Sequence, residues 1–249
     1  MGAAFNTAKN KYFDKTKNHT IFTPPTVCNW LYEILQPELE DVKTVFDPAC
    51  GSGNLLMPFK QNPDIVTMGC DIEDFGADID HLFKDDFLTW KGEFPEIDLC
   101  MINPPFNHTP ESRKKWGKTN LLPELFIQKC FDLFGKDVKA VLFTPMGFRL
   151  NTRCYTEKQG SRYRNIRDNM GKITSIVSIP LDMFPNPDFD ERLPEQRKNP
   201  RLKIPNSNIK RKEIQQEIIF FNMPKLDPHY CLPDSVIEDL REMDRETWG

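Results

Sequence analysis

Residues 42–60 constrain the fold more than any other part of the chain. Val42 to Asp47 is a short β-prone run, and it breaks into Asp47-Pro48-Ala49-Cys50-Gly51-Ser52-Gly53-Asn54 before a helix start at Leu55 to Lys60. A strand that ends in an acid and turns through two glycines into a helix is the opening of a βα unit. Glycine tolerates positive φ and close approach at such a turn. Further β-prone runs follow at Ile65 to Cys70, stopping at Asp71, and at Ile97 to Ile102, Val138 to Phe143, Ile173 to Ile179 and Glu217 to Asn222. The segment before Asp85-Asp86-Phe87-Leu88 is ambiguous and has room for one more short strand. Between the runs, Val27, Trp30, Leu31, Ile34 and Leu35 recur at helical spacing until Pro37. Leu122 to Phe134 places Leu125, Phe126, Cys130 and Leu133 on one side of a helix. Strands alternating with helices predict an α/β fold with a mainly parallel sheet.

The chain has 249 residues, the size of one generous α/β domain, and its 39% hydrophobic content suffices for a core. No stretch reaches the roughly 20 apolar residues that span a bilayer, and Met1 to Lys17 lacks an apolar leader core. The seven cysteines are scattered and never form Cys-x-x-Cys, so neither a disulfide framework nor a metal site is expected. A cytoplasmic protein with reduced thiols and no membrane association is the corresponding expectation. The net charge is −4, yet residues 107–120, 151–167 and 186–213 carry +3, +4 and +3, which leaves −14 on the remainder. An acidic body with concentrated basic stretches suits a polyanionic partner. These stretches are expected to be basic loops or insertions of a single domain over 1–249. Residues 1–20 form an arm and 224–249 a tail with one weak helix.

Several residues carry chemistry. The glycine turn has neither the Gly-Lys-Ser/Thr ending of a phosphate loop nor the Gly-x-Gly-x-x-Gly spacing of a dinucleotide site. Asp71, at the end of the second strand, is placed to accept the two hydroxyls of a ribose. Asp86 can accept from an adenine amino group, with Phe87 packed on the base face. The most specific feature is Asn103-Pro104-Pro105-Phe106 at the end of a buried strand. An exocyclic amino group on a base is a poor nucleophile because its lone pair is delocalised. The amide oxygen of Asn103 and the carbonyl of Pro104 can each accept one of its N–H bonds, which pulls the nitrogen toward a tetrahedral shape and exposes the lone pair to a methyl donor. The prolines fix the backbone, and Phe106 offers a face for stacking.

Together, the Asp47 to Asn54 turn and Asn103-Pro104-Pro105-Phe106 resemble the cofactor and catalytic motifs of gamma-class DNA amino-methyltransferases, especially the N6-adenine enzymes of restriction-modification systems. Phe22-Thr23-Pro24-Pro25 is similar to the N-terminal cofactor motif of that class, and the three motifs stand in its order. The resemblance covers about Ile21 to Phe148. It implies a Rossmann-like S-adenosylmethionine-dependent methyltransferase fold with a mainly parallel seven-stranded sheet and helices on both faces. It implies S-adenosylmethionine as cofactor, held by Thr23, Asp47, Ala49, Cys50, Gly51, Gly53, Asp71, Ile72, Asp86, Phe87 and Asn103. Asn103 to Phe106 would hold a flipped adenine, with Phe184 stacking on its other face. The class usually has a large target-recognition domain, for which this sequence has no room. Base reading then falls to the basic stretches, to a homodimer or to a partner subunit.

Arg113, Lys114 and Lys115 closely follow the tetrapeptide, where they are expected to meet phosphates beside an extruded base. Arg153, Arg162, Arg164 and Arg167, interleaved with Tyr155 and Tyr163, add a basic and aromatic mixture suited to nucleic acid. DNA is therefore the expected substrate and adenine N6 the expected target. The same amide-polarising loop also serves methyltransferases of RNA bases, of DNA cytosine N4 and of protein glutamine, so the loop alone leaves these alternatives open.

Overall fold

A computed structural model of the protein describes residues 22–106, 110–116, 121–145, 170–179 and 216–226. The expected N-terminal arm, the basic stretches 151–167 and 186–213, Phe184 and the helix near Ser235 lie outside the described residues. Seven strands form one sheet: β1 (Thr44–Asp47), β2 (Val66–Asp71), β3 (His81–Lys84), β4 (Leu99–Ile102), β5 (Lys139–Pro145), β6 (Ile173–Ile179) and β7 (Gln216–Phe221). Their order is β3-β2-β1-β4-β5-β7-β6. Strands β1 to β5 pair in parallel, and β7 runs antiparallel between β5 and β6. The chain first moves outward from β1 to β3, then crosses back to place β4 on the other side of β1. This reversal opens a crevice at the carboxyl ends of β1 and β4, where open α/β sheets bind ligands.

Side chains along the central strands alternate between two cores. Val45, Leu99, Met101, Val141, Phe143, Ile218 and Phe220 face the cluster that contains Val27, Leu31 and Leu35 of α1 (Pro25–Leu35) and Phe59 of α2 (Met57–Lys60). Phe46, Cys100, Ile102, Ala140, Leu142, Ile219 and Phe221 face the cluster of Phe126, Ile127, Cys130 and Phe131 on the helix Leu122–Phe134. Both faces are covered, as parallel strands with continuous apolar runs require. Pro25 begins α1, where a missing N–H costs nothing, and a short 3-10 turn at Gln36–Glu38 follows it around Pro37.

Two elements differ from expectation. The ambiguous segment does contain β3, an edge strand whose residues are only half-buried or exposed, so neither face carries a clean apolar pattern. Within 107–120, expected as a basic loop, Pro110–Trp116 forms α3. Its sequence Pro-Glu-Ser-Arg-Lys-Lys-Trp has no apolar stripe for periodicity to detect. The next helix, α4 (Leu122–Phe134), has the span that its periodicity predicts and ends at Gly135 with φ 93°.

Candidate active site

The glycine turn is built by hydrogen bonds that tie the end of β1 to the end of β2. Asp47, 2% exposed, accepts the Ala49 N–H at 2.9 Å. The Cys50 N–H donates to the Cys70 carbonyl at 3.0 Å, and the Gly51 N–H donates to Asp71 Oδ2 at 2.8 Å. Gly51 and Gly53 have φ of 51° and 79°, conformations that favour glycine. A Cβ at Gly51 would lie 3.1 Å from the Phe22 ring, and one at Gly53 3.1 Å from Ala77 Cβ and Ile79 Cγ2. The side that glycine leaves bare is thus closed by the protein itself. Phe22 in turn meets Phe75 edge-on, with ring centroids 5.5 Å apart.

Two acids sit at this turn. Burial pushes the Asp47 carboxyl up to about 8; the Ala49 N–H opposes the shift and neighbouring Asp71 adds to it. Burial also raises Asp71, against the stabilising N–H groups of Glu73, Gly51 and Ile72. Among the described residues neither acid has an ion-pair partner, and no cluster of metal-ligating side chains is present. Ile72, beside Asp71, is 58% exposed and presents apolar surface next to the turn. Cys50 is buried, and burial drives its thiol far above the usual range, so it has no nucleophilic role here.

Asp86 caps the 3-10 turn Phe87–Thr89 by accepting the Leu88 N–H on Oδ1 at 3.0 Å. Its Oδ2 accepts from Lys115 Nζ of α3, also at 3.0 Å. Phe87, expected to pack on an adenine face, lies mostly within the core. It is 2% exposed and packs its ring against Phe46, Phe94 and Phe126. Its apolar character serves the core under α4, which an Asp-Phe pair cannot reveal by itself.

The tetrapeptide follows β4 directly. Asn103 is half-buried, Pro104 buried, Pro105 exposed, and Phe106 half-buried against the α1 side of the core. Asn103 Nδ2 donates to Thr23 Oγ1 at 2.9 Å, and among the described residues its Oδ1 accepts no hydrogen bond. Thr23, 4% exposed, is held in turn by Asn54 Nδ2, which donates to its carbonyl at 2.9 Å. The three separated motifs therefore meet: residues 22–25, the glycine turn and Asn103 form one hydrogen-bonded unit at the carboxyl edge. Asn54 is visible in the sequence as part of the glycine motif, but its link to Thr23 is not. Thr144 in β5 and Gln216, which begins β7, are buried, and among the described residues Oγ1 and Oε1 have no hydrogen-bond partner. Arg113, Lys114 and Lys115 are exposed along α3. Lys115 is engaged by Asp86 and stands 5.3 Å from the Trp116 ring centre.

A family model described as N-6 DNA methylase matches residues 1–64, about a quarter of the chain, which include Thr23 and the glycine turn. No curated protein matches. Among solved structures, a Listeria monocytogenes protein described as a class I S-adenosylmethionine-dependent methyltransferase superposes with a TM-score of 0.55 at 15% identity, over 92% of this chain and 72% of that one. The methyltransferase subunit of a type I restriction-modification system from Streptococcus thermophilus gives 0.54 at 14% identity, over 91% of this chain and 52% of that one. This chain thus spans about half the length of that subunit. A Galdieria sulphuraria protein described as a sarcosine dimethylglycine methyltransferase gives 0.50 at 13% identity, over 80% of this chain and 86% of that one. With its mixed seven-stranded sheet and helices on both faces, the chain has the Rossmann-like fold of the S-adenosylmethionine-dependent methyltransferases.

Proposed function

We propose that the protein is an S-adenosylmethionine-dependent methyltransferase acting on the N6 amino group of adenine in DNA. The observation that carries this reading is the joining of Asn103 to Thr23 beside the glycine turn, which puts the amide acceptor and the cofactor motifs at one edge of the sheet. The residues present fit the cofactor. Asp71 gives an acceptor at the turn with no ion-pair partner among the described residues, Asp47 shapes the turn beneath it, Ile72 gives open apolar surface, and Asp86 gives a second acceptor after β3. S-adenosylmethionine supplies an electrophilic methyl group on a cationic sulfur.

The chain's own residues supply orientation. The carboxamide of Asn103, its NH₂ held by Thr23, accepts one N–H of the target amino group on Oδ1, and the Pro104 carbonyl accepts the other. The nitrogen lone pair is then released from the ring and directed out of the base plane. No charged base is required beside it at this stage, because the nitrogen loses its proton only after it becomes cationic. Phe106 stacks on the extruded base, and Arg113 and Lys114 on α3 contact phosphates, which gives affinity without sequence information. Adenine in DNA, as opposed to another amino group, is supported by the N-6 DNA methylase match over residues 1–64 and by the basic helix following the tetrapeptide. Base selection would come from a second copy or a partner subunit. Phe184, outside the described residues, would complete the base pocket.

The test is transfer of labelled methyl from S-adenosylmethionine to unmethylated DNA, RNA and protein side by side, with the modified product identified by mass spectrometry. N6-methyladenine in DNA is expected, and Asn103→Ala should lower the rate at least about a hundredfold by removing one oriented acceptor. Transfer to RNA or protein alone, or an undiminished rate in the variant, overturns the reading.

A further inference from the structure

One carboxylate is asked to do two things. The proposed function, on which the present inference rests, assigns Asp86 to the adenine amino group of the cofactor. In the structure Asp86 Oδ1 is committed to the Leu88 N–H, and Oδ2 is held by Lys115 at 3.0 Å. Lys115 belongs to α3, which begins four residues after Phe106 and carries Arg113 and Lys114 beside it. The Lys115 and Asp86 side chains are 46% and 37% exposed. An ion pair this open is weak, because water and salt screen it and the long lysine side chain loses freedom to form it. It can therefore be exchanged at little cost.

We propose that Lys115 is a positioning residue that couples cofactor occupancy to nucleic-acid binding. While Lys115 is held by Asp86, one cation of α3 is withdrawn from the substrate. When an adenine amino group takes Asp86 Oδ2, the ammonium is freed at the edge where the tetrapeptide receives the base, and it takes a phosphate. Linkage makes the coupling reciprocal: a phosphate that captures Lys115 leaves Asp86 open to the cofactor. Arg113 and Lys114 have no ion-pair partner among the described residues and would contact phosphates in either state.

Counterion release gives a readout that a merely structural role would not move. Each phosphate newly neutralised steepens the plot of log affinity against log salt by about 0.9 for duplex DNA. The affinity of the full chain for a mixed-sequence duplex is to be measured across a salt series, with and without saturating S-adenosylhomocysteine. The wild-type slope should steepen by about 0.9 when S-adenosylhomocysteine is present. Lys115→Ala should show the shallower slope in both conditions, and Lys115→Arg should restore the difference. Asp86→Asn, which frees the lysine permanently, should show the steeper slope without any ligand. By calorimetry, Lys115→Ala should bind S-adenosylhomocysteine more tightly than wild type by up to about fivefold, since a competitor is gone. A wild-type slope indifferent to bound S-adenosylhomocysteine, or the same steepening in Lys115→Ala, overturns the coupling and leaves the methyltransferase reading intact. Failure of the wild-type protein to bind S-adenosylhomocysteine at all overturns that reading and the coupling with it.

Discussion

At the scale of the residue, the site is organised by carboxylates with different neighbours. Asp86 and Asp71 are partly open and held by N–H groups, whereas Asp47 is 2% exposed under the turn it shapes. Burial raises Asp47 from 3.8 to about 8, so at neutral pH the folded protein holds a proton there that the unfolded chain has released. Below the unfolded value both states are protonated and the group is neutral toward stability. Between the two values the unfolded chain binds fewer protons, so this group lowers stability progressively as pH rises, and the loss is complete above about pH 8. Asp47→Asn keeps an oxygen for the Ala49 N–H and cannot ionise. Relative to wild type, the variant should gain stability steadily from about pH 5 to about pH 8, read as urea midpoints across that range. Parallel pH profiles for the two proteins would show that Asp47 stays ionised in the fold.

At the scale of the element, β2 meets the glycine turn so closely that one of its residues has no room for a side chain. A Cβ at Gly69 would lie 2.6 Å from Cys50 Sγ, 2.8 Å from Cys50 Cβ and 2.7 Å from Ile79 Cδ1. Gly69 is also the register partner of Asp47, so the crowding falls where the turn leaves the sheet. Gly69→Ala should cost about 1–3 kcal/mol by forcing the turn outward, seen as a lower denaturation midpoint with an unchanged slope. A wild-type midpoint would mean that the turn yields freely. This crowding is not legible in the sequence. There, Met68-Gly69-Cys70 is only a strand interrupted by a glycine, and the partner that forbids the side chain is Cys50, from a different motif. The legible features are periodic or terminal. The apolar stripe of Leu122 to Phe134 marks the limits of α4, and the acids closing β1 and β2 mark the turn. The half-exposed edge strand β3 and the charged α3 carry no apolar rhythm, so the sequence leaves one ambiguous and hides the other. The Lys115 to Asp86 pair joins a helix without a pattern to a cap 29 residues away, so proximity in space has no counterpart in the order of residues.

At the scale of the whole molecule, the two cores lie on opposite faces of the sheet while the proposed ligand contacts fall on one edge. Asp47 ends β1, Asp71 ends β2, Asp86 follows β3 and Asn103 follows β4. A ligand reaching Asp71, Asp86 and Asn103 would bridge separate strands across the point where the strand order reverses, and it would bind only the folded chain. Such binding stabilises by mass action, about 2.7 kcal/mol when the free ligand stands at a hundred times its dissociation constant. For a domain of this size each kcal/mol moves the melting midpoint by about 2–4 °C. S-adenosylhomocysteine at that excess should therefore raise the midpoint by about 5–10 °C. Asp71→Asn removes the anion while its amide oxygen can still accept the Gly51 N–H, at the loss of the exposed Glu73 N–H that Oδ1 accepts at 3.1 Å. At the same ligand concentration its shift should be much smaller than that of wild type, while its midpoint without ligand falls only by the cost of one exposed turn hydrogen bond, about 1 kcal/mol. If the two proteins shift equally, Asp71 serves the turn alone and the ribose contact assigned to it falls. If neither shifts, the carboxyl edge does not hold this cofactor.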